Sequence, residues 1–451
     1  MLGALLTIAL VVIGCGVALT RPWWGIVAFY FFTFLIPEWN WRWAMPSYFP
    51  YQTMITVCTL IGLGLGGFPG FKLRISLMSP MFGMIAFIAL AFMSSLSTIG
   101  PDLTAFYMRY LWKIILMACL AMGLIDTPKK MLVLLMAICV AQGYNSLQIN
   151  VQYFQDGFSA YSRNGWAFGM RGDNNIYSSA TIPMLSGSLA LGLLLQRTWQ
   201  RVLFLSIAVL ATHQIMLLES RGAMLGAIAA FGVLVLMVRK TTYINTVFAC
   251  GLIVGALLAG PPVVKEFASA FESRDNLDGS AASRFVVWKA GLEITRDYPL
   301  LGVGPWCGSM LVPSYADLPN SRKELHNIFL EISTGCGLLA AFAYFGSFWL
   351  AWYRSLRTRP LLYRFSTVPD DQSALEIVRL SVIAGLAGYF VASMFSAAAL
   401  SESSYVFLAL GSCMSTYVRQ FSNSCEKQDE PNVDSLAQED AVVFPAMSIS
   451  N

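Results

Sequence analysis

Apolar residues occur along the chain in long runs, separated by short segments that are rich in charge, proline or aromatic residues. A helix needs roughly 20 apolar residues to cross the hydrocarbon core of a bilayer. The runs cover residues 3–20, 23–37, 51–67, 78–98, 105–125, 131–152, 174–195, 202–219, 221–238, 243–260, 325–352, 376–398 and 404–418. This pattern predicts an all-α polytopic membrane protein with about 12–13 transmembrane helices, since one of the two short first runs could be re-entrant.

Composition supports this fold class. Apolar residues make up 57% of the chain and charged residues 12%, and the mean hydropathy is +0.62, outside the usual range of soluble domains. The first run lacks a basic flank and leads into a second run, so we expect no cleavable signal peptide. Most of the nine cysteines lie within apolar runs and no CxxC pair occurs, which argues against a disulfide framework and a thiolate metal site.

The charges between the runs predict the orientation of the chain. If the loops alternate sides, one side holds most of the Lys and Arg residues and is cytoplasmic by the positive-inside rule. These are Arg21, Lys72, Arg74, Lys129, Lys130, Arg197, Arg201, Arg239, Lys240, Arg354, Arg357, Arg359 and Arg364. The short loops of the other side carry only Arg42, Arg163, Arg171 and Arg221, so these four residues are predicted to face outward together with the long 261–325 loop.

Three regions follow from this organisation. Residues 1–195 form an N-terminal transmembrane region, and residues 196–420 form a transmembrane core that includes the outward loop 261–325. Residues 421–451 are polar and acidic without periodicity, which predicts a disordered cytoplasmic tail.

The segment LLESRGAMLG, residues 217–226, places Glu219 and Arg221 between two apolar runs. Loop parity assigns this point to the outer surface, where Gly222 would permit a tight hairpin and Arg221 would open the next helix. The alternative is a structural arginine that extends its side chain to the membrane interface.

A second outward segment, SRNGWAFGMRGDNN at 162–175, brings Arg163, Arg171 and Asp173 close to the start of the seventh run. Asp173 and Asn174 are residue types that cap helix N-termini, and capping alone would explain both of them. The two arginines are not needed for capping and therefore remain candidates for binding.

The long outward loop contains a predicted amphipathic helix, which begins at Ser280 and ends before Pro299. Ser283 is a candidate cap, and Arg284 and Trp288 lie one turn apart. A helix on the outer leaflet is the structural alternative, and it accounts for Trp288 better than for Arg284. The following LGVGPWCG, residues 301–308, has no preceding strand, so we predict a glycine-hinged turn and neither a nucleotide fold nor a nucleic-acid partner.

The loop closes with SRKELHNIFLEISTGCG, residues 321–337, in which His326 stands where the loop enters the eleventh run. Asn327 and Glu331 follow it on the same predicted helix. An isolated histidine at an interface is commonly structural, and that alternative stays open here. The second histidine, His213, lies inside the eighth run and is predicted to be a packed, neutral core residue.

Together these outward residues favour one kind of chemistry. Guanidinium groups match phosphate oxygens and keep their charge in a partly dry site, so arginines beside a bilayer suit a lipid-linked diphosphate. A neutral imidazole beside them could accept a proton from an attacking hydroxyl. Asp275 and Asp278 alone make a poor divalent site, so no metal and no other cofactor is expected.

The same residues resemble the signature series of the O-antigen ligase and O-antigen polymerase superfamily. The motifs are SRG at 220–222, SRFVVWKAG at 283–291 followed by LGVGPWCG, and HNIFLEISTGCG at 326–337. Residues 21–43, RPWWGIVAFYFFTFLIPEWNWRW, together with RGDNN at 171–175 are similar to the branch described as O-glycosylation ligases associated with exosortase systems. The resemblance covers most of residues 1–420.

This resemblance implies an inverting, metal-independent GT-C-type glycosyltransferase at the periplasmic face of the bacterial inner membrane. The donor would be a glycan linked to undecaprenyl diphosphate, gripped by Arg221 and Arg284, with His326 as general base on the acceptor hydroxyl. The secondary candidates for the site are Arg163, Arg171, Asp173 and Trp288.

Two glycosyltransferase functions, which differ in the acceptor, and one different class of function remain open at this point. A ligase would transfer the glycan to a hydroxyl of lipid A-core or of a protein, and a polymerase to another lipid-linked repeat. A non-catalytic transporter of lipid-linked glycan predicts basic residues in a membrane cavity and a dispensable His326. The clear Arg and Lys residues inside the runs are Arg109, Lys113 and Arg379, and Arg109 is close enough to the outer end to reach the interface.

Overall fold

The fold is known from a computed structural model, which describes residues 2–45, 49–68, 71, 76, 78–157, 173–259, 279–316, 323–362 and 369–429. Within these ranges the secondary structure is helical, with no strand. The helices are α1 (Leu2–Thr20), α2 (Pro22–Leu35), α3 (Pro37–Asn40), α4 (Tyr51–Leu65), α5 (Pro80–Ser95), α6 (Pro101–Leu124), α7 (Pro128–Asp156), α8 (Asn174–Leu194), α9 (Thr198–Leu217), α10 (Arg221–Met237), α11 (Thr242–Leu258), α12 (Gly279–Asp297), α13 (Gly308–Ala316), α14 (Ile328–Arg357), α15 (Arg359–Leu362), α16 (Pro369–Ser393) and α17 (Glu402–Asp429).

The predicted fold class is confirmed, because the chain is an all-α polytopic membrane protein. Seven helices in the described ranges are long and apolar enough to cross a bilayer, namely α1, α6, α7, α8, α9, α14 and α16. Four shorter apolar helices, α4, α5, α10 and α11, accompany them. A total of 12–13 spans and the GT-C type remain predictions.

Local sequence accounts for where many of these helices begin. Helix α5 starts at Pro80 after Ser79, whose hydroxyl accepts a hydrogen bond from the amide of Phe82. Helix α7 starts in the same way at Pro128 after the capping residue Thr127. A capping hydroxyl satisfies a free amide of the first turn, and proline has no amide to satisfy there. The boundaries are therefore set by residues next to each helix.

Helix α16 lies at the centre of the bundle and packs against α7, α8, α10, α14 and α17. The contact between α10 and α16 depends on small residues. A Cβ atom on Gly388 would lie 2.5 Å from the carbonyl oxygen of Gly226, and one on Gly226 would lie 2.4 Å from that of Gly388. Glycine at both positions thus lets two helix backbones approach closely, as is common in membrane helix packing.

One end of the bundle is covered by α12 and α13, which belong to the long loop predicted to face outward. Helix α14 is kinked at Gly337, where φ is 84°, and the segment between α12 and α13 packs against this kink. The amide of Leu338 donates to the carbonyl of Pro299 at 2.7 Å, and the amide of Val303 donates to that of Thr334 at 3.0 Å. Segment 299–307 therefore supplies partners for backbone groups on both sides of the kink.

Segment 301–308 has the predicted glycine-hinged conformation. Gly302 has a φ of 64°, and a Cβ atom there would lie 2.5 Å from the backbone of Gly335. Gly304 is also left-handed, with a φ of 106°. Only glycine combines this backbone conformation with so close an approach, which explains the spacing of the motif.

Some predicted boundaries differ from the observed ones. Ser283 lies inside α12 and does not cap it, because the helix already begins at Gly279. Helix α17 continues to Asp429, so residues 421–429 of the predicted disordered tail are helical. The rest of the tail lies outside the described residues.

Candidate active site

A tight hairpin joins α9 to α10, as the LLESRG segment predicts. Glu219 has a left-handed backbone with φ of 54°, and Ser220 caps α10 by accepting a hydrogen bond from the amide of Ala223. The Ser220 hydroxyl also donates to Oδ1 of Asn175 at 2.9 Å. Arg221, the first residue of α10, is thereby held beside the start of α8.

The start of α8 is capped by its own residues and also contacts the hairpin between α9 and α10. Asp173 caps this helix, and its Oδ1 accepts a hydrogen bond from the amide of Asn175 at 2.7 Å. The Nδ2 of Asn174 donates to the carbonyl oxygen of Leu218 at 2.7 Å. Capping therefore explains part of this motif, and the remaining contacts fix the α9–α10 hairpin against it.

Arg284 is brought to the same place by α12. Its side chain is half-buried, and its pKa is lowered by burial first and by repulsion from Arg221 second, while the carboxylate of Asp173 opposes the shift. Two guanidinium groups from helices far apart in the sequence are thus electrostatic neighbours. Such a pair favours an anion that lies between its members.

Trp288 lies one turn after Arg284 on α12 and links this helix to the segment that carries His326. Its indole Nε1 donates to the carbonyl oxygen of Leu325 at 3.0 Å, and its ring packs at 6.0 Å from that of Phe395. Trp288 therefore fixes α12 against the segment that carries His326.

His326 lies immediately before α14 in a strained conformation. Its φ is 46°, although it is not a glycine, and its side chain is 32% exposed. The Nδ1 atom is buried without a hydrogen-bond partner and lies 4.0 Å from Oε2 of Glu324. Backbone strain of this kind concentrates at functional sites, because the surrounding structure must maintain it.

Asp173, Glu324 and His326 form a cluster in which one potential ligand atom from each residue lies within 4.8 Å of the others. One imidazole and two carboxylates are a chemically possible metal set. The electrostatic surroundings oppose that use, because the guanidinium of Arg284 already interacts with Asp173. The residues fit an imidazole flanked by carboxylates better than they fit a divalent cation.

A cavity of about 140 Å³ opens beside this cluster. Its polar lining includes Asp173, Glu324 and the buried Glu331, together with Trp306 and Tyr107. Oε1 of Glu331 accepts a hydrogen bond from the Trp306 indole at 2.6 Å, and the Trp306 and Tyr107 rings stack at 4.9 Å. This cavity is called the first cavity below. It has room for a small polar group next to the cluster.

The structure brings together four of the predicted site residues, namely Arg221, Arg284, Asp173 and His326. Trp288 joins them through Leu325. Arg163 and Arg171 lie outside the described residues, as do Asp275 and Asp278. The sequence did not single out Glu324, Trp306 or Tyr107 as site residues. The local signals that could have identified two of them are the charge of Glu324, two residues before His326, and the position of Trp306 in the LGVGPWCG motif.

Comparison with known families gives one match. Residues 203–345 match the family model described as O-Antigen ligase, and this range contains Arg221, Arg284 and His326. The predicted resemblance to the O-antigen ligase and polymerase superfamily is confirmed for this part of the chain. The match supports a membrane glycosyltransferase of that general type, with a lipid-linked glycan and an acceptor as substrates. A search of curated proteins gave no significant match.

Proposed function

We propose that the protein is an inverting, metal-independent glycosyltransferase of the O-antigen ligase type. It transfers a glycan from undecaprenyl diphosphate to a hydroxyl of lipid A-core or of a protein, at the periplasmic face of the bacterial inner membrane. The observation that carries this proposal is the meeting of Arg221, Arg284 and His326 at one end of the bundle, beside the first cavity.

The two arginines are assigned to the diphosphate of the donor. Each guanidinium can form charge-assisted hydrogen bonds to phosphate oxygens. Arg221 is also the first residue of α10, a helix of 17 residues, whose free amides and dipole add positive potential at that end. Because Arg221 disfavours the charge of Arg284, a bound diphosphate would relieve their repulsion.

Helix α12 also accounts for the lipid part of the donor. While Arg284 is half-buried towards the site, Phe285, Val286 and Leu292 are exposed by 53%, 45% and 57%. An apolar surface next to a phosphate-binding arginine suits a prenyl diphosphate, whose chain stays in the leaflet while its head group enters the protein. Helix α12 can therefore lie on the leaflet through its apolar residues and still present Arg284 to the site.

His326 is assigned as general base. The acceptor hydroxyl attacks the anomeric carbon from the side opposite the diphosphate and its proton passes to the imidazole, so the configuration is inverted. The bond between the anomeric carbon and the phosphate oxygen breaks, and its electron pair leaves with undecaprenyl diphosphate. The arginines stabilise the charge that develops there, and the carboxylates of Asp173 and Glu324 stabilise the protonated imidazole.

Transport without catalysis is a weaker candidate for this chain. Arg379, fully buried in α16, forms two hydrogen bonds to Glu376 at 2.6 and 2.7 Å. Its charge is therefore neutralised within its own helix and is not presented to a substrate.

The proposal is tested with the purified full-length protein and undecaprenyl-diphosphate glycan, by mass analysis of the products formed with each acceptor. Glycan on lipid A-core or on a protein supports the ligase, and glycan on a second carrier lipid identifies a polymerase that uses the same site. Failure to bind undecaprenyl diphosphate, together with the absence of any transferred glycan, would overturn the assignment to glycosyl transfer.

A further inference from the structure

A second cavity, of about 300 Å³, lies beside the first cavity. It is lined by the ends of α2 and α3, the starts of α4, α8 and α17, and parts of α6 and α7. Its volume is at the lower limit of ordinary small-molecule sites, which begin at about 300 Å³. Nothing in the proposed roles of the arginines and His326 uses this space.

The two cavities share a wall. Ile176 of α8 lines both of them. Leu400 lines the first cavity and its neighbour Ser401 lines the second, while Tyr107 and Tyr110, one turn apart on α6, line the first and the second respectively. The second cavity is therefore adjacent to the first, with Ile176 in the wall that they share.

The chemistry of the second cavity differs from that of the arginine pair. Two carboxylates, Glu38 and Glu402, and two amides, Gln52 and Gln142, line it with several tyrosines. Among its described lining residues there is no Lys or Arg. Carboxylates accept hydrogen bonds from hydroxyl groups and repel phosphate, whereas amides both donate and accept. Such a lining selects a neutral, hydroxyl-rich group and excludes the diphosphate.

Several of these side chains are held in place before any ligand binds. The Tyr51 hydroxyl donates to Oε2 of Glu38 at 2.7 Å, and Nε2 of Gln142 donates to the Tyr177 hydroxyl at 3.1 Å. Burial raises the pKa of Glu38, although the bond from Tyr51 opposes this shift. Preorganised polar groups in a cavity reduce the cost of ordering on binding, which is the usual basis of specific recognition.

We propose that the second cavity is a saccharide subsite, which binds uncharged sugar residues of a substrate while the arginines hold the diphosphate. This inference rests on the proposed function. Two sources have the required chemistry, namely the donor glycan next to its phosphate and the sugar of the acceptor, and the assays separate them.

The test fills the cavity by Ala180→Trp. Ala180 lies on α8, lines the second cavity and is half-buried, so a large ring there would occupy the space of a sugar. Ala180→Ser at the same position is the matched control. Gln52→Leu, which removes an amide and keeps the approximate volume, is a second variant in case the tryptophan prevents folding.

Three quantities are measured on the full-length variants, namely the affinity for bare undecaprenyl diphosphate, the affinity for the glycan-bearing donor, and the KM for the acceptor. We expect Ala180→Trp and Gln52→Leu to leave the affinity for bare undecaprenyl diphosphate unchanged. If the donor glycan occupies the second cavity, the affinity for the glycan-bearing donor falls by roughly tenfold or more; if the acceptor sugar occupies it, the KM for the acceptor rises by a similar factor. Ala180→Ser, which fills little of the cavity, should change the donor affinity and the acceptor KM less than Ala180→Trp.

Two results would overturn the saccharide subsite. One is that both folded variants leave donor affinity and acceptor KM within about twofold of the natural values. The other is an equal loss of affinity for bare and glycan-bearing carrier, which would assign the cavity to the lipid diphosphate. Failure of the natural protein to bind bare undecaprenyl diphosphate would instead contradict the proposed function.

Discussion

The two histidines of this chain lie in regions with opposite properties. His213 is 5% exposed in the interior of the bundle, where its Nδ1 lies 2.5 Å from Oδ1 of Asn150 and the edge of its ring packs against Tyr153. His326 is 32% exposed at the end of the bundle, with no hydrogen bond at Nδ1 and two carboxylates close by. The Nδ1 atom of His213 is occupied by a bond within the fold, whereas Nδ1 of His326 has no hydrogen-bond partner, which is the contrast expected between a structural histidine and the proposed general base.

The arginines divide in the same way. Arg379 is buried in α16 and paired with Glu376 one turn away. Arg284 lies near Arg221, which repels it, and the carboxylate of Asp173 opposes this repulsion. The interior charge is compensated by a neighbour on its own helix, whereas two like charges lie close together at the end of the bundle, an arrangement that suits the proposed binding of an anion.

The largest effect is expected from His326→Asn. Asparagine tolerates the left-handed backbone of this position, so the variant removes the imidazole without adding strain. Loss of a general base lowers turnover by about 10²–10⁴, while affinity for undecaprenyl diphosphate remains. The measurement is transfer rate and donor binding on one preparation.

The matched control for that experiment is His213→Leu. We expect it to lower the free energy of unfolding by about 1 to 3 kcal/mol, because Asn150 loses its buried partner. Turnover of the folded protein should stay near normal. Normal turnover of His326→Asn would refute the general base.

Next in size is the effect of Arg284→Met or Arg221→Met on donor binding. Loss of charge-assisted hydrogen bonds to the diphosphate should weaken binding by about 10- to 100-fold, corresponding to roughly 1.5 to 3 kcal/mol. Binding is measured by titration with undecaprenyl diphosphate.

Arg379→Met serves as the interior counterpart of these variants. It should lower the free energy of unfolding by about 1 to 3 kcal/mol. This is less than the cost of breaking a fully buried ion pair, because the side chain of Glu376 is 27% exposed. Donor binding should stay unchanged. A donor affinity that falls more with Arg379→Met than with Arg284→Met would favour an intramembrane path for the substrate.

A smaller effect is expected from Asp173→Asn. Asparagine is as good a helix cap as aspartate, so α8 should keep its start while the negative charge near His326 and Arg284 disappears. We expect turnover to fall by roughly tenfold, the size of one partly solvated charge interaction, and donor affinity to stay equal or increase. Reduced donor affinity would contradict this assignment and place Asp173 in direct contact with the donor.

The smallest effect is expected from removal of metal ions. Because Arg284 already compensates Asp173, treatment with EDTA should leave glycan transfer unchanged. Loss of transfer that Mg²⁺ or Mn²⁺ restores would show that Asp173, Glu324 and His326 hold a cation, and would refute the metal-independent mechanism.

Most helix boundaries could be predicted from sequence. The predicted run 174–195 is α8, Asn174–Leu194, and the run 243–260 is α11, Thr242–Leu258. The reason is that hydrophobic length and capping residues act within a few positions. The run 325–352 was predicted as one helix, and only contacts with Pro299 and Val303 reveal the break at Gly337.

The candidate site was only partly predictable, because its members differ in the kind of signal they carry. Arg221, Arg284 and His326 stand in motifs and share one predicted side of the membrane. Glu324 carries no motif of its own, and its proximity to Asp173 arises because α8 and the segment before α14 meet in space. Spacing along the chain gave no sign of that carboxylate cluster.

From the sequence it follows that this chain crosses a bilayer, where most of its helices lie and which charged residues stand between its apolar runs, because hydrophobicity and capping are local properties. Helix packing is what brings Arg221 beside Arg284, places Glu324 and Asp173 next to His326 and leaves a polar cavity beside them. These contacts join segments far apart in sequence, and they follow from how the helices pack and from where α14 is broken.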